Sequence, residues 1–480
     1  MDDGLWIRPR ITVLDEGQMA RIHEQSLQIL STVGVRVDAE EGRRLLRSAS
    51  ARADGDNVVR VPRELVEWAL GVAPAHVDIY DRQGKPAFRL GDDRTRFGIG
   101  VTTLYYQDPE TDEVEPFTRQ HMRTIVRLGD ALSSFDVVST VGVLRDVPPE
   151  VSDLYAALEM VANTTKPLVL LVSDEACFPN VLDLLEHVRG DLSSHPFVIP
   201  YVNPISPLVL NKGTADKLVL AINRGLPVIF SSYGMAGATT PIAPTGALAL
   251  LNAELLAGLT LAQLVREGAP VILGALPAFF DMRGAGSFYD MHSYLLNLAC
   301  AEMMDWYRLP HAGTSGSGMG WGPDLLTAAH QWTNHLTSCL GKVGLAPFVG
   351  DVLGSKAYSP VTMVYANEAI AQARRLAQGF QLDDSPGLLQ EVASIGPGGN
   401  YLTAASTIQR CRTAYYQSSI WQYLTLEEWQ AQSCPSAEVQ LRDYTRKLLC
   451  ETDAPGDCAD LVARGESFIR RQIQQWEESN

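Results

Sequence analysis

The sequence predicts an α/β fold, a (β/α)8 TIM barrel carrying an N-terminal helical cap and a helical C-terminal extension. Short Val/Ile/Leu-rich runs recur along its middle: RFGIGV, DVVSTVGV, PLVLLVSD, PFVIPYVNPIS, LPVIFSSYGMA, PVILGALPAFF, LPHAGTSG and APFVGDVLGS. Helix-like runs such as DLYAALEMVANTT, CFPNVLDLLEHVRG, KGTADKLVLAINRG and LALLNAELLAGLTLAQLVREG lie between them at the spacing of βα units. The short runs are apolar almost throughout, as strands are when helices cover both faces of a parallel sheet. An open doubly wound sheet is the competitor. Its nucleotide-binding version needs a glycine fingerprint, and neither GPGGN at Gly396 to Asn400 nor the glycine-rich stretch from Gly313 to Gly322 contains GxGxxG or GK[ST] in context.

In chain order, residues 1–90 read as the cap. QMARIHEQSLQILSTVG places Met19, Ile22, Ile29, Leu30 and Val33 near helical spacing, and Gly34 is a natural stop. EEGRRLLRSAS and PRELVEWALGVAP, with Pro62 at its start, give two further helices. His23 and His76 fall in this cap and read as surface or packing residues. DRQGKPAFRLGDD reads as a polar connection. Residues 91–384 form the expected catalytic barrel. Early in it, strand-like residues around Phe97 to Tyr106 end in the Asp108-Pro109 turn, and Tyr105 and Tyr106, being adjacent, face opposite sides. Residues 385–480 are helix-rich, and Phe468, Ile473 and Trp476 near one face predict packing on the barrel or on a second subunit.

With 480 residues, 46% of them hydrophobic, the chain has material for a large core. Its formal charge of −17 disfavours an extended surface for nucleic acid or acidic membrane. MDDGLWIRPRITVLDEGQ has no basic segment followed by an apolar one, and no run reads as long enough to cross a bilayer, so a cytoplasmic protein is expected. The 7 cysteines are scattered and include no CxxC pair, which predicts reduced thiols rather than a disulfide scaffold or zinc ribbon.

The expected strand ends are rich in aromatics: Tyr105, Tyr106, Tyr201, Tyr233, Phe279, Phe280, Trp321 and Tyr358. Converging ring faces hold a methylated ammonium, which offers no hydrogen to donate. Packing in the core is the plainer role for most of them. Asp281 and Arg283 flank Met282 after the sixth run; Arg283 suits a ligand carboxylate, and an Asp–Arg pair bracing the loop is the structural alternative. Glu254, within an apolar helix, reads as a paired structural carboxylate. His335 and Cys339 at i, i+4 share a helical face, yet two ligands make no metal site, and His330 lies off that face. His292 and His311 are isolated candidates for a pocket wall. No GxSxG elbow or nucleophilic Cys/His context appears.

Several stretches taken together resemble the trimethylamine methyltransferase (MttB) superfamily. They include IHEQSLQILSTVGVRV, RFGIGVTTLYYQDPETDEVEPFT, YVNPISPLVLN, GATTPIAPTGALALLNAELLAGLTLAQL, GALPAFFDMRGAG and GPGGNYLTAASTIQRCR. The resemblance is to the branch without pyrrolysine, most like glycine betaine:corrinoid methyltransferases. Ordinary residues stand from His311 to Pro323, where trimethylamine members carry pyrrolysine, and Asn400 stands where many relatives have His.

The resemblance implies a TIM-barrel enzyme that moves a methyl group from a quaternary or tertiary amine to Co(I) of a corrinoid on a separate protein, with no cofactor bound tightly by this chain, and the two departures favour a quaternary amine. It also makes a homo-oligomer plausible. A quaternary nitrogen already has a neutral amine as its leaving group, so positioning and a dry pocket matter more than a general acid or a metal. The expected substrate site gathers Tyr105, Tyr106, Phe279, Phe280, Trp321 and Trp332 around the N-methyl groups, with Arg283 or His311 on a carboxylate. Two rival readings are a zinc-dependent methyltransferase acting on a thiol, through His335 and Cys339, and a non-catalytic betaine-binding barrel.

Overall fold

All eight apolar runs form parallel strands, and each leads to a helix. A computed structural model describes residues 6–49, 52–53, 57–314, 318–382 and 387–479. The strands are β1 (Arg96–Ile99), β2 (Val137–Ser139), β3 (Leu168–Leu170), β4 (Val198–Val202), β5 (Val228–Ala236), β6 (Val271–Asp281), β7 (His311–Ala312) and β8 (Leu345–Val349). The helices after them are α1 (Arg119–Ala131), α2 (Pro149–Asn163), α3 (Phe178–Arg189), α4 (Lys212–Asn223), α5 (Pro244–Val265), α6 (Met291–Trp306), α7 (Leu325–Leu340) and α8 (Pro360–Gln378). Each strand pairs with its sequence neighbours, and β8 returns to β1 through Leu345↔Arg96. The sheet is therefore a closed barrel, and a doubly wound sheet, which has two edges, is ruled out.

Seven strands fill the interior with Val137, Val169, Ile199, Ile229, Ile272, Ala312 and Leu345. On β1, Gly98 leaves room for them, because a Cβ there would lie 2.4 Å from Val137 Cγ2. The N-terminal end is plugged by a hairpin, Val77–Tyr80 with Pro86–Leu90, whose Val77, Ile79 and Leu90 join the same core. Its Tyr80 N–H donates to the Pro196 carbonyl at 3.0 Å and its Arg82 N–H to the Thr165 carbonyl at 2.8 Å, just ahead of β4 and β3. The polar connection expected here is thus a barrel plug. Its alternate residues face inward, and charges on the others hid the pattern.

The preceding helices, Glu16–Gln28, Arg63–Val72 and Glu40–Ser48, occur where the apolar spacing places them. Ser50, at the end of the second sequence run, lies outside the described residues, as do Ser315 to Ser317 of the glycine-rich stretch and the expected boundary at residues 384/385. Short strands thread between the helices, and Val35–Val37 pairs in parallel with Val209–Leu210 beyond β4.

Helix α5 corrects one expectation. Its 22 residues are long and apolar enough to cross a membrane by composition. Ala247 to Gln263 are instead buried, with Gly258 set so close that an added Cβ would lie 2.2 Å from the Phe230 ring of β5. The apolar length serves the barrel's outer layer.

The last helix, Cys458–Ser479, lies on α2 and α3. It buries Leu461 and Ile469 and presses Gly465 against Leu158. Asp457, just before it, takes a two-pronged contact from buried Arg82 at 2.6 and 2.7 Å. The helices Leu388–Ile395, Ala405–Arg410 and Leu426–Ala431 bury no residue at all.

Candidate active site

Period-two alternation carries side chains from the barrel interior up to its open end. On β4, Ile199 lies in the core and Tyr201 above it; on β5, Ile229 is followed by Ser231 and then Tyr233. Tyr201 and Tyr233 line a cavity of about 400 Å³ with Leu276 of β6 and Phe348 of β8. Thr102, Ser173, Asn203 and Thr314, beyond the ends of β1, β3, β4 and β7, add polar groups, and Tyr289 adds a fourth ring from the segment after β6. The cavity thus sits at the carboxyl ends of the strands, where barrel enzymes bind ligands.

Its walls carry backbone strain. Thr102, a lining residue, has φ of 57°, and Leu208, Leu353 and Ser355 in neighbouring loops share the left-handed region. A β-branched residue there is costly and is tolerated where surrounding bonds impose it. The Thr102 N–H donates to the Thr140 carbonyl at 2.9 Å.

Burial dominates the electrostatics. It pushes the Tyr201 phenol above its usual range. Asp351, fully buried behind the cavity, is pushed up to about 6, because the loss of hydration outweighs the bonds donated to its carboxylate by the Gly318 N–H at 3.1 Å and the Ser355 hydroxyl at 2.6 Å. Glu254 on α5 is also raised by burial. It accepts from Ser206 Oγ and the Leu208 N–H, both at 2.7 Å, and from Ser232 Oγ, tying the β4 loop to the outer face of β5. That is the structural part read for it from the sequence.

Of the cavity's lining residues, the charged one is Lys217 of α4, only 9% exposed. No Asp or Glu is among them.

The eight residues expected to bind substrate stand elsewhere. Tyr105 is exposed beyond β1, while Tyr106 turns the other way and stacks on His121 with centroids 4.1 Å apart. Phe279 and Phe280 extend β6 into a hairpin with Gly286–Phe288, and Phe279 packs on Phe288. Arg283 is exposed at that hairpin's tip, where its N–H donates to Asp281 Oδ1 at 2.9 Å. Trp321 is 69% exposed, and its carbonyl accepts from Gln107 Nε2. These lie around the open end without lining the cavity. Trp332 is half-buried on α7, in the outer layer.

His311 corrects a placement. It begins β7 at the closed end, beside Gly344 and Asp92, and burial pushes its imidazole down to about 3. Because Ala312 next to it faces the barrel interior, His311 points outward toward α6, away from the mouth.

His335 packs edge-on against Phe97 at 5.6 Å, and among the described residues no three potential ligands converge on a metal position.

Tyr289, Phe348, Asn203 and Lys217 were missed. Lys217 did leave a trace, since it shares a helix face with buried Thr214 and Ala221. A lysine on an apolar face signals a special environment.

A closed parallel barrel with a ring-lined cavity at its strand ends is the architecture of the TIM-barrel enzymes. Residues 6–476 match the family model for trimethylamine methyltransferase (MTTB), and the chain belongs to this family. It is 27% identical to trimethylamine methyltransferase MttB of Desulfitobacterium hafniense (strain DSM 10664 / DCB-2), over 86% of this chain and 84% of that one. It is 24% identical to the glycine betaine methyltransferase of Desulfitobacterium hafniense (strain Y51), over 97% and 98% respectively. The crystal structure of the Methanosarcina barkeri monomethylamine methyltransferase superposes with a TM-score of 0.50 at 10% identity, covering 93% of this chain and 96% of that one, a likeness of fold.

Proposed function

We propose that this methyltransferase takes a methyl group from a quaternary amine, glycine betaine or a related betaine, and delivers it to a corrinoid held by a separate protein. The observation that carries the reading is a cavity walled by Tyr201, Tyr233, Tyr289 and Phe348 without any carboxylate. A quaternary ammonium is weakly hydrated and cannot donate a hydrogen bond, so ring faces suit it better than a point charge. The near full-length likeness to a glycine betaine methyltransferase supports the same choice.

In this reading the four rings hold the trimethylammonium head and exclude water, so that the reacting carbon faces the opening. The corrinoid supplies the reduced cobalt that accepts the methyl group. Breaking the C–N bond leaves its electron pair on nitrogen, and the product leaves as a neutral amine; no proton needs to move.

The rim supports a protein acceptor. Ile205, Ile242, Met282 and Trp321 on loops, with Leu325 at the start of α7, are exposed apolar residues at this one end. Such a ring is what a docking partner covers. Tyr105, Phe280 and Arg283 belong to the same rim in this reading.

A homo-oligomer is supported by surface area. The chain of 52.4 kDa exposes 21952 Å², against about 17,600 Å² for a compact monomer of its mass. Exposed Leu389, Leu402, Ile408 and Tyr423 on the outlying C-terminal segment account for part of the excess. The seven cysteines are unpaired, which fits a reducing, cytoplasmic setting.

The test is to mix the purified protein with glycine betaine and cob(I)alamin and follow the absorbance of methylcobalamin together with dimethylglycine release. Enzyme-dependent formation of both is expected. Turnover of trimethylamine but of no quaternary amine would overturn the proposal.

A further inference from the structure

Lys217 poses a physical problem for the cavity. A buried ammonium carries three N–H donors and loses its hydration, which is costly unless acceptors replace the water. Its Nζ has no hydrogen bond among the described residues, and the facing Glu175 Oε1 stands 4.0 Å away, beyond hydrogen-bond range. Glu175 is itself 40% exposed and accepts from Asn211 Nδ2. The other neighbouring carboxyl, Asp153, is buried and already accepts the Asp174 N–H at 2.8 Å. Lys217 is thus a largely buried cation whose ion pair with Glu175 is long, on the wall of the ring-lined cavity.

A simple cation such as tetramethylammonium would be repelled by that wall. A zwitterion resolves the conflict, because its anionic end pairs with the ammonium at close range while its methylated end meets the rings. Asn203 and Ser173 beside Lys217 offer further donors to the same end. We propose that Lys217 anchors the carboxylate of a betaine, with Asn203 and Ser173 beside it, and so selects zwitterionic quaternary amines over those lacking a carboxylate. This rests on the quaternary-amine reading above and replaces Arg283 and His311 in the carboxylate's place. Arg283 is exposed on the hairpin tip and His311 lies at the barrel's closed end.

The test is calorimetric binding of glycine betaine and of tetramethylammonium to the full-length protein and to Lys217→Met, which keeps the side chain's length and removes its charge. The wild type should prefer betaine. Lys217→Met should weaken betaine at least 30-fold and leave tetramethylammonium equal or tighter. Lys217→Arg, which keeps the charge, should hold betaine within a few-fold and stands in should the Met variant not fold. Unchanged betaine affinity in Lys217→Met, an equal loss for both ligands, or a loss of betaine in Arg283→Ala instead, would overturn the assignment. If the wild type binds neither ligand, it is the quaternary-amine reading that fails.

Discussion

Tyr201 and Phe348 meet edge to face, with ring centroids 5.2 Å apart and planes at 70°. They stand on β4 and β8, four strands apart around the eight-stranded barrel, so the contact crosses its full width. Both belong to the interior core and both line the cavity. The pair is therefore the floor of the cavity.

Removing one ring should open that floor. Phe348→Ala is expected to lower unfolding free energy by about 3–4 kcal/mol, through lost burial and the void left behind. Urea denaturation followed by circular dichroism measures it. Tyr201→Phe keeps the ring and should change stability by about 1 kcal/mol or less; equal losses in the two variants would mean that the contact does not depend on the rings.

Tyr233 lies in the layer above, where the ligand's head would lie. Tyr233→Ala should weaken quaternary-amine binding about tenfold, the effect of one desolvated cation–ring contact, while Tyr233→Phe retains most of it. Isothermal calorimetry with glycine betaine separates them. Should the Phe variant lose as much as the Ala variant, the hydroxyl rather than the ring face is responsible.

Asp351 predicts a dependence on pH. Its carboxyl is raised by burial from 3.8 to about 6, so the folded protein keeps a proton that the unfolded chain has released between those values. Stability contributed by this group is present at the acid end and declines as pH rises from about 4 to 6. Asp351→Asn, compared with wild type by urea midpoints from pH 4 to 7, should lack that decline. Parallel profiles would refute the assignment.

Glu254 gathers three donors from Ser206, Leu208 and Ser232. Glu254→Ala would strand them in a buried layer and should cost about 3 kcal/mol, whereas Glu254→Gln, which keeps one acceptor oxygen, should lose less. Thermal unfolding ranks the two. A variant as stable as wild type would show that water replaces the carboxylate there.

On the proposed reading, acceptor docking on the apolar rim is separable from substrate binding. Ile242→Asp and Leu325→Asp should raise the KM for a corrinoid protein about tenfold or more, by burying a charge against a docked surface. Betaine affinity measured without that protein should stay within about twofold. Loss of betaine binding would place these residues in the substrate site instead.

The sequence by itself determined the barrel, because the apolar period of each strand and helix is a local property, and the eight runs appear as eight strands in the expected order. It also determined the family, through motifs spread over nearly the whole chain. It identified strand-end aromatics as a class, Tyr201 and Tyr233 among them.

Which rings meet at the cavity was decided only by the tertiary structure. Inward orientation depends on register around a closed sheet, and one residue's shift turns a side chain outward, as Tyr105 and Tyr106 show. Phe348 reaches its place from across the barrel, and Lys217 arrives from a helix whose pattern, read alone, describes only packing. The plug of residues 77–90 escaped notice for the same reason, since its inward side chains have a partner only once the strands have closed. Local periodicity sets each element's form; convergence of residues far apart in the chain belongs to the folded whole.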